Sequence, residues 1–332
     1  MSEFWTQFIA SHPSSSQDLT QGLFPITDQQ LLMVEGPDSS KFMQGQFTCN
    51  MSEITESSFR RGACCNPKGR MIASFTLVNS AENQYIMSVA DGMAEVTQNH
   101  LKKYMVFFKA EMTSSDWVSA GLRGDGAAEA ITQIFGSVPS EDYDQVKSEQ
   151  GLALKLPFNA GYELWLKADA AQSTLETVAQ SLPLQPAGLW QNILIAAGLA
   201  QVTPEASEEH IPQMMNLGQT GGISFSKGCY TGQEIVARMQ YLGKLKRHLY
   251  RIAFTADQAP SSHTGVHVQG KDSAVGNLVN ITTQATSSQS NHFEALAVLE
   301  DKQLDQFSNL YIEGCNDLEL LDLPYEVVPA EE

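Results

Sequence analysis

The chain has 332 residues, 42% hydrophobic and 17% charged, with a formal net charge of −18. That length supports two or three domains with their own cores, and the composition is that of a globular protein with no apolar run near the roughly 18–20 residues that span a bilayer. The charge argues against a general nucleic-acid binder, whose phosphate contacts need a positive surface.

The opening MSEFWTQFIASHPSSSQ has neither a basic n-region nor a sustained apolar run, so no secretory signal is expected and the cytoplasm is the default compartment. Cys49, Cys64, Cys65, Cys229 and Cys315 are an odd number without framework-like spacing, which agrees with a reducing compartment.

In chain order, LLMVEG (31–36) reads as a strand ending at Gly36-Pro37, after which Asp38 can cap a short helix carrying Phe42 and Met43. MIASFTLV and QYIMSVA form a predicted hairpin around a polar turn, Asn79 to Asn83. Met93, Val96, His100, Leu101 and Tyr104 recur at helical spacing and predict an amphipathic helix over 93–104. WVSAGL, LALKL and YELWLK add strands. GLWQNILIAAG (188–198) puts Leu189, Trp190, Ile193, Leu194 and Ala197 on one helical face, between Pro186 and Gly198.

After about residue 243 short strands follow one another without a strong helix: LYRIAF, GVHVQG, AVGNLVNIT, FEALAVL and LYIEG. That pattern predicts a small antiparallel barrel or sandwich. The Ser/Gln-rich stretch 284–291 reads as a long hairpin loop. The expected fold is α+β over 1–242, followed by an all-β domain over 243–332.

The chemistry concentrates in KGCYTGQE (227–234). GISFS before it alternates like a strand, and EIVARMQYL after it places Ile235, Val236, Met239 and Leu242 at helical spacing. Cys229 is therefore expected in a strand-to-helix loop near a helix N-terminus. Unpaired N–H groups there, with Lys227 beside the thiol, favour a thiolate. Glu234 opposes this, but Arg238 at i+4 can neutralise it. Gly228 and Gly232 permit a tight turn and leave space above the sulfur. The bland alternative is a small buried hydrophobe under the loop.

Metal-ligand spacings are lacking: there is no C-x-x-C, H-x-x-H or H-E-x-x-H, so no metal site is expected. A thiol protease or acyltransferase would need a histidine base, and no local signature singles one out. Residues 227–251 hold Lys227, Arg238, Lys244, Lys246, Arg247 and Arg251 against Glu234 alone. This basic island is either an anionic-ligand or RNA contact, or a solvated face balancing acids packed nearby.

KGCYTGQE, with GGISF before it, resembles the signature of the YgfZ family of folate-binding proteins, related to the T-protein (aminomethyltransferase) of glycine cleavage. GPDSSKFMQGQFTCN (36–50), LKKYMVFFK, HIPQMMNLGQTGGISF and the closing LPYE extend the resemblance over nearly the whole chain. It implies three domains in a ring-like arrangement around a folate channel, the last a β-barrel.

T-proteins carry an acidic pair where Ala73 and Ser74 stand here, so the resemblance implies folate binding without aminomethyl transfer. Of two tryptophans that the family associates with folate, one matches Trp190 and the other falls on Gln29. An indole face can stack on a pterin ring; the competing reading of Trp190 is a core residue on an amphipathic helix.

The functional expectation implied by the resemblance is a tetrahydrofolate-binding protein that supports iron–sulfur cluster assembly or repair, and through it tRNA methylthiolation. Cys229 is the functional thiol and Lys227 lowers its pKa. Trp190, Tyr230, Gln233 and Arg238 are the candidate folate contacts. Partners would be folate and iron–sulfur enzymes or assembly factors, with no membrane. The alternative is a folate-dependent one-carbon transferase using Cys229. Direct RNA contact through 227–251 ranks last because the overall charge opposes it.

Overall fold

The computed structural model describes residues 3–12, 18–270, 273–282 and 291–327. The loop expected at 284–291 lies outside the described residues except for Asn291.

In chain order, α1 (Glu3–Ser11) is followed by β1 (Gly22–Pro25), β2 (Gln29–Glu35), α2 (Ser39–Gln44), β3 (Arg60–Cys65), β4 (Met71–Ala81) and β5 (Gln84–Ala90). Next come α3 (Met93–Met105), β6 (Glu111–Ser114), β7 (Val118–Arg123), α4 (Ala127–Phe135), β8 (Gln145–Lys147), β9 (Gly151–Leu156) and β10 (Gly161–Leu166). The chain continues through α5 (Ala168–Ala179), α6 (Leu189–Ala196) and α7 (Gln233–Tyr241). It ends in β11 (Arg247–Ala256), β12 (Gly265–Val268), β13 (Gly276–Ile281), β14 (His292–Glu300), β15 (Leu310–Tyr311) and β16 (Cys315–Leu321).

Two compact units share the chain: Met1–Phe42 with Met51–Arg60 and Thr76–Ile193, and Met43–Asn50 with Arg61–Phe75 and Leu194–Glu332. The first contains an antiparallel sheet in the order β1-β7-β10-β9-β8. One face of that sheet carries Ala120, Leu122, Leu164 and Leu166, and it is buried under Trp5 and Phe8 of α1, Ile131 of α4 and Leu175 of α5. Strand alternation turns Gly121, Glu163 and Trp165 to the opposite face. The same unit holds the hairpin predicted at Asn79–Asn83, where Asn83 takes the left-handed φ of 55°.

Helix α3 forms as expected, but its buried stripe is Met93, Thr97 and Leu101, while Val96 is 38% exposed. Thr97 is accommodated because its hydroxyl donates to the Met93 carbonyl at 2.7 Å. Asp38 accepts the Lys109 N–H on its carboxylate at 2.9 Å, and its own carbonyl receives the Phe42 N–H of α2.

In the second unit the expected antiparallel β structure is a six-stranded sheet, β15-β12-β13-β14-β11-β16, whose edge strands β15 and β16 touch and nearly close a barrel. Its interior holds Ile252, Phe254, Val266, Leu278, Ala295, Ala297 and Leu299. Short 3-10 turns over Asp301–Asn309 interrupt the strands. Among the described residues, no helix is long and apolar enough to cross a membrane.

Candidate functional site

Helix α7 begins where the spacing of Ile235, Val236 and Met239 predicts, with Gly232 as its N-cap. Gly232 has φ +84°, and a Cβ there would stand 2.6 Å from the Asn66 carbonyl oxygen, so a side chain is excluded twice over. Gly228 differs, since nothing lies within 4 Å of where its Cβ would be. The strand expected over GISFS does not form; residues 222–230 have no regular structure.

A set of bonds to the 44–49 segment replaces the missing ladder. Thr48 donates its hydroxyl to the Gly222 carbonyl at 2.6 Å and accepts the Ser224 N–H on its own carbonyl. Thr231 donates its N–H to Gly45 at 3.1 Å and its hydroxyl to the Gln46 amide oxygen at 3.1 Å. Lys227 closes the clasp, its Nζ donating to the carbonyls of Gln44, Phe47 and Cys49 at 2.9, 2.6 and 2.7 Å. The same ammonium lies 5.0 Å from the centroid of the Tyr230 ring. Burial pushes the Lys227 pKa down to about 8, with the neighbouring Cys49 acting in the opposite direction.

Cys229 projects from this clasped loop and is exposed, whereas Cys49, Cys64 and Cys65 are buried. All three protons of the Lys227 ammonium are taken by carbonyls, and no hydrogen bond joins it to the Cys229 sulfur among the described residues. The Glu234–Arg238 pairing expected at i+4 forms no ion pair there either; both side chains are exposed. Tyr230 is buried under the loop, which pushes its pKa up, and its N–H is received by the Gln233 side chain at 3.3 Å. Tyr230 and Gln233 thus support the thiol loop, and Arg238 faces solvent.

Ser74, one of the two positions where T-proteins carry acids, is 4% exposed and accepts the Val202 N–H at 2.8 Å. Its hydroxyl serves as a backbone partner, and Ala73 beside it is buried.

In the other unit, Trp190 on α6 is fully buried. A Cβ added to Gly121 would lie 2.2 Å from the Trp190 ring, so the indole rests directly on the β7 backbone, with Phe24 tilted against it at 5.5 Å. Its Nε1 donates to Glu163 Oε1 at 2.9 Å, and Trp165 Nε1 donates to Glu163 Oε2 at 2.9 Å. Gln29 also hydrogen-bonds Glu163 and accepts the Ser88 hydroxyl at 2.5 Å. The two positions tied by resemblance to folate, Gln29 and Trp190, therefore meet on one carboxylate. Burial raises the Glu163 pKa, and the two indole N–H donors pull it back.

The apolar pattern of YELWL marks a strand without singling out Glu163, although a charged residue alternating with a tryptophan on an apolar strand is an available signal. Beside Gln29 opens a cavity of about 460 Å³, whose wall includes Gln30, Asp91, Trp117 and Ser119.

A folate fits this chemistry in one respect. The pyrimidine edge of a pterin presents adjacent N–H donors, for which a carboxylate with spare lone pairs is the complementary acceptor. Trp190 itself offers no exposed ring face in this state.

Comparison with known proteins places these features in context. A family model described as the GCVT N-terminal domain matches residues 18–220. The tRNA-modifying protein YgfZ of Pectobacterium carotovorum subsp. carotovorum (strain PC1) is 33% identical over 264 residues, 79% of each chain. The tRNA-modifying protein YgfZ of Escherichia coli O7:K1 is 34% identical over 262 residues, covering 78% of this chain and 79% of that one. The glycine cleavage system aminomethyltransferase T of Bartonella henselae matches in structure with a TM-score of 0.69, over 98% of this chain and 90% of that one. At 14% identity that is a likeness of fold.

Proposed function

The chain belongs to the YgfZ family, and from that premise we propose that it is a tetrahydrofolate-binding protein that supports tRNA modification. In this reading it sustains the iron–sulfur clusters of radical modification enzymes, and Cys229 is its essential side chain.

The observation that carries the proposal is the contrast among the cysteines. One thiol of KGCYTGQE is exposed on a loop held by the Lys227 clasp, while Cys49, Cys64 and Cys65 are sealed in the core. A buried structural cysteine needs no such platform. The uncharged pair Ala73–Ser74 supports the same reading, because aminomethyl transfer lacks a carboxylate there to guide the reacting proton.

Folate recognition is assigned to the Glu163 centre. Glu163 would accept the pterin edge, with Gln29 and Trp190 fixing its orientation. Because Trp190 is closed over, binding must alter the surroundings of its indole, so tetrahydrofolate titration should change tryptophan fluorescence. Glu163→Gln should weaken that response. An unchanged titration in Glu163→Gln would remove Glu163 from the folate site.

The decisive test is genetic. In cells lacking this protein, wild type should restore methylthiolated tRNA and Cys229→Ala should not. Equal rescue by both would reduce Cys229 to a structural residue. Turnover of methylene- or formyl-folate by the purified protein, lost in Cys229→Ala, would instead make the chain a one-carbon transferase.

A further inference from the structure

The fold sorts the six basic side chains of residues 227–251 into two sets. Lys227 is committed to three carbonyls, Arg247 pairs with Glu300 at 3.0 Å, and Arg251 pairs with Glu294 at 2.6 Å. Arg238, Lys244 and Lys246 are exposed. Neither Arg238 nor Lys246 enters a salt bridge among the described residues.

These exposed cations border an apolar surface. Glu234, Arg238 and Tyr241 occupy positions i, i+4 and i+7 of α7 and all are exposed, so they form one outward stripe. Tyr241 is 68% exposed and Leu242, directly after it, 84%. The Phe225 ring stands edge-on to Tyr241 with centroids 6.0 Å apart. Cys229 precedes the opposite end of the same helix, whose nine residues rise roughly 13 Å.

We propose that the outer face of α7, from the Cys229 loop to Phe225, Tyr241 and Leu242, is a docking surface for single-stranded RNA. The inference rests on the tRNA-linked role proposed above and names the partner that meets the thiol-bearing loop. Exposed aromatic rings supply stacking planes for unpaired bases, and Arg238, Lys244 and Lys246 supply phosphate contacts along the strand. Duplex RNA hides its base faces and gains nothing from the rings. The overall charge of −18 does not forbid this, because repulsion from acids farther than about 8 Å is screened at physiological salt. An apolar protein knob would use Leu242 and Tyr241 but leave Arg238 and Lys246 unmatched.

The test is fluorescence anisotropy of a labelled single-stranded oligouridylate with the full-length protein. Binding should weaken between about 50 and about 200 mM salt with a log–log slope near −2, since each single-strand phosphate contact contributes about −0.7. The triple variant R238Q/K244Q/K246Q should flatten that slope. Tyr241→Ala with Phe225→Ala should cut affinity about tenfold or more and keep the slope, because stacking is not ionic. All five side chains are exposed or at the surface, and circular dichroism checks that the variants fold.

The proposal is overturned if the oligonucleotide does not bind at low salt, or if a duplex competes equally well. It is also overturned if binding falls with Phe107→Ala, at an exposed apolar site close in sequence to Lys102, Lys103 and Lys109, and survives the α7 substitutions. Loss of RNA binding would leave the tRNA rescue by wild type and its loss in Cys229→Ala unaltered, so the two readings fail separately.

Discussion

Lys227 donates to the Cys49 carbonyl at 2.7 Å, joining the segment that bears the exposed thiol to one 178 residues earlier in the chain. This single ammonium, with Thr231 and Thr48, replaces the strand ladder that the sequence suggested before Cys229.

Removing the clasp should therefore be costly. Lys227→Met leaves three carbonyls without their donor, at about 2–3 kcal/mol of stability. Lys227→Arg should recover little, because a planar guanidinium cannot direct three protons into the same hollow as an ammonium. Urea denaturation of the three proteins measures this. Equal midpoints would show the clasp to be dispensable.

The cysteines should react in a fixed order. Brief native alkylation followed by mass spectrometry should mark Cys229 first and half-buried Cys315 next. Cys49, Cys64 and Cys65 should react only after unfolding. Burial pushes Cys64 up to about 12 and also raises Cys65, next to it. Early labelling of Cys64 or Cys65 would contradict their burial in the core.

The Glu163 centre predicts an asymmetric pair of variants. Glu163→Ala leaves two buried indole N–H groups unpaired and should cost about 3–5 kcal/mol. Gly121→Ala touches no hydrogen bond, yet it drives a methyl into the Trp190 ring and should redshift tryptophan emission as the indole is displaced. Unchanged emission would mean that α6 can yield without cost.

Asp28 gives a pH dependence with a definite sign. Burial, reinforced by the charge of Asp91, raises its pKa from 3.8 to about 6, against the pull of its own backbone N–H. The folded state therefore favours the protonated acid. That contribution is fully present below pH 3.8 and is lost as pH rises through about 6. Asp28→Asn should stabilise the protein by about 1–2 kcal/mol at pH 7.5 and hardly at pH 4. Stabilisation of equal size at both values would exclude titration of Asp28 as the cause.

Much of this architecture is legible in local patterns. Short apolar runs bounded by turn residues mark β2, β5, β7, β9 and β10, the last four buried along most of their length, and the 3.6-residue period marks α6 and α7. Even the error at α3 has a local cause: Thr97 sits in the buried stripe by hydrogen-bonding its own helix, which hydrophobic periodicity does not register. The motif KGCYTGQE located the exposed thiol and the helix that follows it.

What tertiary structure alone decided is where each polar group spends its hydrogen bonds and charge. Lys227 is two residues from Cys229 in sequence, but its donors point into carbonyls 178 to 183 residues away. Six cations form one island in sequence, yet Glu294 and Glu300 of a neighbouring barrel strand neutralise two of them. Gln29, Glu163 and Trp190 become one centre only when β2, β10 and α6 are packed together. Periodicity reports which face of an element is buried, whereas a hydrogen bond or an ion pair depends on the partner brought opposite, and that partner is set by chain folding over long sequence distances.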